Sequence, residues 1–133
     1  MQRKSVILYM AKLNLQDSKT IDYVWQQGLV EEGYDSDLFR KDAAGAWMSR
    51  SEYGNRDSKF GWEIDHIYPT ALGGDNEEGN LRPMQWENNK SKADNYPDYV
   101  AVVTAEGSQN IDNTSSRTIN RAVQERLQKL YSL

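Results

Sequence analysis

Gly61-Trp62-Glu63-Ile64-Asp65-His66-Ile67-Tyr68-Pro69 is the stretch on which the fold turns. Trp62 and Ile64 alternate with Glu63 and Asp65, the period-two pattern of a short strand with one apolar face. Downstream, Leu81-Arg82-Pro83-Met84 makes a second strand. Between them Pro69 to Gly79 carries the turn formers Gly73-Gly74 and Asp75-Asn76. After Trp86 the polar run Glu87 to Asp94 holds no breaker and reads as a short helix. The order is strand, long loop, strand, helix. The only histidine of the chain, His66, sits at the end of the first strand. With an unperturbed pKa of about 6.5, histidine is the side chain most readily used as a proton acceptor near neutral pH.

Working outward, Ser18 to Gln27 reads as a helix, with Asp17 or Ser18 as N-cap, Ile21, Val24 and Trp25 on one face, and Gly28 as the stop. Glu31 to Asn55 has Gly, Asp and aromatic residues at irregular spacing and yields only a turn at Tyr53-Gly54-Asn55. On the C-terminal side, Tyr99 to Ala105 reads as a strand. Ile119, Ala122, Val123, Leu127, Leu130 and Tyr131 then recur at helical spacing behind a Ser/Thr cap at Thr114 to Ser116, which predicts a packed C-terminal helix. The fold class is α+β. No repeat, low-complexity tract or long linker divides the chain, so a single domain over residues 1–133 is expected. Arg3 and Lys4 precede an apolar Val6 to Ala11, but Lys12 and Asn14 end that run too early for export or a membrane span. A cytoplasmic protein without a membrane partner is the expectation.

Composition narrows the chemistry. A chain of 133 residues has room for one ordinary core. It contains no cysteine, which removes disulfides, thiolate nucleophiles and Cys-ligated zinc together. Asp and Glu outnumber Lys and Arg by 20 to 16, a net charge of −4. Binding a polyanion would therefore rest on a local basic patch, a metal ion, or both. Basic residues gather at Arg40, Lys41, Arg50, Arg56 and Lys59 before the histidine, and at Arg82, Lys90 and Lys92 after it.

Asp65-His66-Ile67-x-Pro69, Gly73-Gly74, Asn80-Leu81-x-Pro83 and Asn89-x-x-Lys92, taken as a unit, resemble the HNH endonuclease family in its Asp-His, Asn, Asn variant. Arg40-Lys41-Asp42-x-x-Gly45 and Gly61 to His66 are similar to the upstream segment of a bacterial and phage branch, so the match runs over roughly residues 40 to 94. The resemblance implies a ββα-metal core at about 61–94, a helical and loop region over 1–60, and a strand-helix extension over 95–133. It implies a general base at His66 and metal ligands at Asp65 and Asn89, with Asn88 as the alternative amide. Asn80 would hold the loop so that His66 keeps its direction. Lys92, Lys90 and Arg82 are the implied nucleic-acid contacts, Lys92 alone having motif support. Oxygen donors favour Mg²⁺, with Mn²⁺ as the alternative, over a closed structural zinc site.

For the remaining residues the plainer roles are preferred. Trp62, Ile64 and Leu81 are read as core, Glu63 as a strand-surface charge and Trp86 as packing at the helix start. Arg40 and Asp42 are read as pairing with each other or pinning the upstream loop. The function expected is metal-dependent hydrolysis of DNA phosphodiesters, with RNA open as a substrate. The alternatives are a catalytically silent HNH-fold module that binds nucleic acid or protein, and a nuclease subunit or effector that depends on a protein partner. Oligomeric state, sequence specificity and biological pathway are not encoded in these residues.

Overall fold

The structure, a computed structural model, describes residues 12–133. The apolar run at Val6 to Ala11, and the expectation attached to it, lie outside the described residues. The elements in chain order are α1 (Ser18–Trp25), β1 (Phe39–Lys41), β2 (Trp47–Ser49), β3 (Trp62–His66), β4 (Leu81–Gln85), α2 (Trp86–Lys92), β5 (Asp98–Glu106), β6 (Gln109–Thr118) and α3 (Arg121–Tyr131). The class is α+β. The strands form antiparallel two-stranded ribbons, β1 with β2, β3 with β4 and β5 with β6.

α1 starts at Asp17, whose side chain accepts from Lys19 N, and ends at Trp25, slightly before Gly28. Trp25 and Val24 are buried with Met48, Trp62 and Leu81 in one cluster, against which Ile64 packs half-buried. A second cluster joins Ala44, Ile67, Met84, Tyr99, Ala101, Ile119 and Leu127. The β3–β4 ribbon lies between the clusters and feeds both, because alternate side chains of a strand leave on opposite faces. Its register pairs Ile64 with Pro83, Asp65 with Arg82 and His66 with Leu81. Pro83 is tolerated because each strand of a two-stranded ribbon has a free edge.

Two elements depart from the sequence expectation. The Glu31 to Asn55 segment contains the β1–β2 hairpin, strands of three residues each that are too short to show a period. Thr114 to Ser116 are not a helix cap but part of β6, and the cap of α3 is Asn120, whose side chain accepts from Val123 N. β6 escaped notice because Gln109 to Thr118 is polar and mostly exposed, holding to β5 through backbone pairing rather than an apolar face. Ile119 is buried ahead of the helix rather than on it. No helix among the described residues is long and apolar enough to cross a membrane.

Candidate active site

β3 ends in Asp65 and His66, and α2 follows directly from β4 to lie beside them. The cleft between them holds about 270 Å³ and is lined by Asp65, His66, Asn89, Lys90, Arg56 and Asp94 among others. Three sequence-predicted residues, Asp65, His66 and Asn89, thus line one cleft. The neighbouring amides of α2 have separate tasks. Asn88 is fully buried. Its Oδ1 accepts from Val102 N at 2.8 Å and Val103 N at 2.9 Å, and its Nδ2 donates to Asp42 Oδ2 at 3.0 Å and Val103 O at 2.9 Å. That uses the whole capacity of a carboxamide, leaving nothing for a ligand. Asn89 Nδ2 donates to Glu63 Oε1 at 3.1 Å, an orientation that leaves its carbonyl as the group to offer. Glu63 in turn accepts from Nε and Nη2 along one edge of Arg56, at 2.7 and 2.9 Å, and these bonds hold its carboxyl below the usual range.

Asp65 is buried, and each carboxylate oxygen meets a cation. Arg82 Nε lies 2.9 Å from Oδ2, and Lys92 Nζ lies 3.3 Å from Oδ1. Lys92 is fully enclosed, and its ammonium also donates to His66 O at 3.1 Å. Burial pulls the Lys92 ammonium below its ordinary pKa more strongly than Asp65 raises it. The phosphate contact expected of Lys92 is therefore not available in this structure: the side chain points into the protein and braces the Asp65–His66 strand end. Arg82 does not line the cleft either, being paired with Asp65 and set over the Tyr99 ring at 5.3 Å. Of the expected phosphate contacts, only Lys90 is exposed at the cleft. A spacing of three positions places Lys92 one turn beyond Asn89 but does not say whether that turn faces water.

His66 is held from the loop. Its Nε2 lies 2.8 Å from Asn76 Oδ1. A carbonyl oxygen only accepts, so Nε2 carries the proton and Nδ1 is left as the basic nitrogen. Asn76 was not singled out in the sequence, where it was read as a turn former. Asn80, fully buried, ties the loop: Oδ1 accepts from Tyr68 N at 2.7 Å, and Nδ2 donates to Tyr68 O and Asp75 O at 3.0 and 3.1 Å. Gly73 has φ +115°, and a Cβ on Gly74 would fall 1.8 Å from Tyr68 O, so the chain folds back on itself only with glycine there. Trp86, at the start of α2, donates from its indole to Ser58 O at 2.9 Å.

α3 supports the same loop. The Tyr131 hydroxyl donates to Asp75 Oδ1 at 2.7 Å and accepts from Asp75 N at 3.2 Å, and Arg126 Nε donates to Gly79 O at 2.9 Å. Burial alone would raise the Asp75 carboxyl, but the Tyr131 hydroxyl, the Lys12 ammonium and the Glu77 amide outweigh it and hold it below its ordinary 3.8. A depressed folded-state pKa means that the unfolded chain binds the proton more readily, so this contribution is present above the unfolded value and disappears as pH falls through the folded one. In urea denaturation, Asp75→Asn is expected to be less stable than the parent at pH 7 and to converge with it in acid, below the ordinary carboxyl value. A difference that persisted unchanged into acid would refute this account.

The upstream segment enters through Asp42 rather than Arg40. Asp42 is buried, accepting from Ala44 N and Ala46 N at 2.9 Å and from Gln85 N and Asn88 Nδ2 at 3.0 Å, and so pins the β1–β2 turn to the start of α2. Burial pushes its carboxyl up against these four bonds. Arg40 does not pair with it, donating instead to Ser36 O, Gln26 O, Gly28 O and Gln26 Oε1.

The donor set of the cleft can be tested for a metal on its own terms. Asp65 has one cation on each oxygen and keeps further lone pairs, and Asn89 keeps its carbonyl. Among the described residues no group of three or more His, Asp or Glu side chains is gathered to hold an ion. One carboxylate and one amide oxygen fit a hard divalent cation that retains most of its water. Compared with family models, curated protein sequences and solved structures, the chain finds no match.

Proposed function

We propose that the chain is a metal-dependent endonuclease of HNH type that hydrolyses DNA phosphodiesters. The observation that carries this reading is the shared cleft of His66, Asp65 and Asn89. Asp65 and Asn89 would hold Mg²⁺, or Mn²⁺ in its place. When bound, the ion supplies charge neutralisation at the scissile phosphate and the departing oxygen. His66 Nδ1 takes the proton of a water, whose oxygen forms the new bond to phosphorus while the bond from phosphorus to the 3′ oxygen breaks. That oxygen leaves with a proton from solvent. Asn76 keeps Nε2 protonated and the ring aimed during this transfer, and Lys90 is the cation best placed to meet a phosphate.

A second reading, a binding module without turnover, draws on the net charge of −4 and on the burial of Arg82 and Lys92, which leaves few free cations at the cleft. One experiment separates the two. Purified protein with supercoiled plasmid is expected to nick it in Mg²⁺ or Mn²⁺ and to stop on addition of EDTA. Plasmid that is bound but stays intact in both metals would overturn the nuclease and favour the module. Single-stranded RNA in a parallel arm tests the nucleic-acid class.

A further inference from the structure

A second cavity, of about 330 Å³, shares no lining residue with the cleft. It lies between β1, β4, the end of β6 and the body of α3. In a chain with net charge −4, its lining brings together Lys41, Arg82, Arg117 and Arg126. The single acid among the lining residues is Asp42, whose two oxygens are already occupied by four donors.

The cations are unequally neutralised. Lys41 is paired with Glu31 at 2.7 Å. Among the described residues Arg117 donates to Ser115 Oγ and Ala44 O, and Arg126 to Gly79 O, all uncharged acceptors. Arg82 shares the one carboxylate of Asp65 with Lys92, which leaves an excess positive charge, and the Tyr99 hydroxyl is the further polar group set against its guanidinium. Two guanidiniums that meet no carboxylate among the described residues, lining one cavity with a third whose carboxylate is shared, make a local excess of positive charge that calls for an anion.

We propose that this cavity is a binding site for a phosphate-bearing anion, held by Arg82, Arg117 and Arg126. Planar guanidinium forks match the oxygens of a phosphate, and a dianion answers the charge excess better than a single carboxylate does. The cavity is at the small end of ligand pockets, which suits inorganic phosphate or the phosphate of a mononucleotide. This site uses none of His66, Asp65 and Asn89 as contacts and meets the cleft through the Arg82–Asp65 pair.

The test titrates the full chain, without metal, with inorganic phosphate and separately with a deoxynucleoside 5′-monophosphate. Calorimetry and amide chemical shifts report the binding. Saturable binding is expected, with shifts centred on Arg82 and on Arg117 to Asn120. Arg117→Gln and Arg126→Gln are each expected to weaken it by about tenfold or more. Tighter binding of the nucleotide, or equal binding of the two, identifies the source while supporting the site. Absence of saturable binding would overturn the proposal, as would shifts confined to His66, Asn89 and Lys90. Binding lost in Lys90→Gln but kept in both arginine variants would also overturn it. Should an arginine variant fail to fold, the shift map of the parent chain decides.

Discussion

His66→Ala is expected to lower plasmid cleavage by about 10²- to 10⁴-fold, the usual contribution of a positioned general base. The chain holds no other histidine, so no neighbouring imidazole can stand in. Stability should change little, because His66 is only half-buried and its one side-chain bond goes to Asn76. Mn²⁺ affinity, read by calorimetry, should be kept, since the proposed ligands are Asp65 and Asn89. Asn76→Ala belongs in the same series. It removes the acceptor that keeps the proton on Nε2, so a smaller loss is expected, with the imidazole ¹⁵N signals showing mixed tautomers. Those signals come from one residue and are unambiguous. Cleavage by His66→Ala at the parent rate would end the assignment of the base.

Asn88→Ala is expected to cost about 3 kcal/mol or more of stability, measured by urea denaturation, although Asn88 touches nothing in the cleft. Its amide bonds Val102 N, Val103 N and Val103 O of β5 and the buried carboxylate of Asp42. Truncation leaves three backbone groups and one carboxylate short of partners where no solvent reaches, and each such group carries a desolvation penalty of about 1–3 kcal/mol that relaxation only partly recovers. Asn89→Ala, one position on, is expected to behave in the opposite way. Its amide is half-buried with a single bond to Glu63, so stability should fall by less than about 1 kcal/mol while metal affinity is lost. A destabilised Asn89→Ala beside a parent-like Asn88→Ala would reverse the two roles.

The contrast between these neighbours shows where sequence reading stops. Successive positions on a helix lie about 100° apart, and a polar run such as Glu87 to Asp94 has no apolar stripe to say which face turns inward. The inward face of α2 is set by β5, whose backbone at Val102 and Val103 needs donors and acceptors that Asn88 supplies. The same cause hid the fate of Lys92. An ammonium is ordinarily solvated, and only the Asp65 carboxylate and the His66 carbonyl, brought to it by a long-range contact, make its burial tolerable. The pinning of the upstream loop by Asp42 was legible, but its reach to Gln85 and Asn88, and the hold of Asn76 on His66, were not, since those partners lie far along the chain or across a loop. β6 was missed because its stabilisation lies in backbone pairing, which leaves no mark on residue type.

By itself the sequence determined the strand at Trp62 to His66, the glycine-bearing loop, the return strand at Leu81, the short helix beyond it and the one residue able to act as a histidine base. These rest on local properties, namely period-two alternation, backbone freedom and side-chain chemistry. Tertiary structure decided which asparagine faces the cleft, which cations are spent on Asp65 and which line a second cavity, and that α3 braces the loop behind His66. Burial and charge compensation belong to pairs of residues, and the partners of Asn88, Lys92 and Asp75 lie on other segments of the chain.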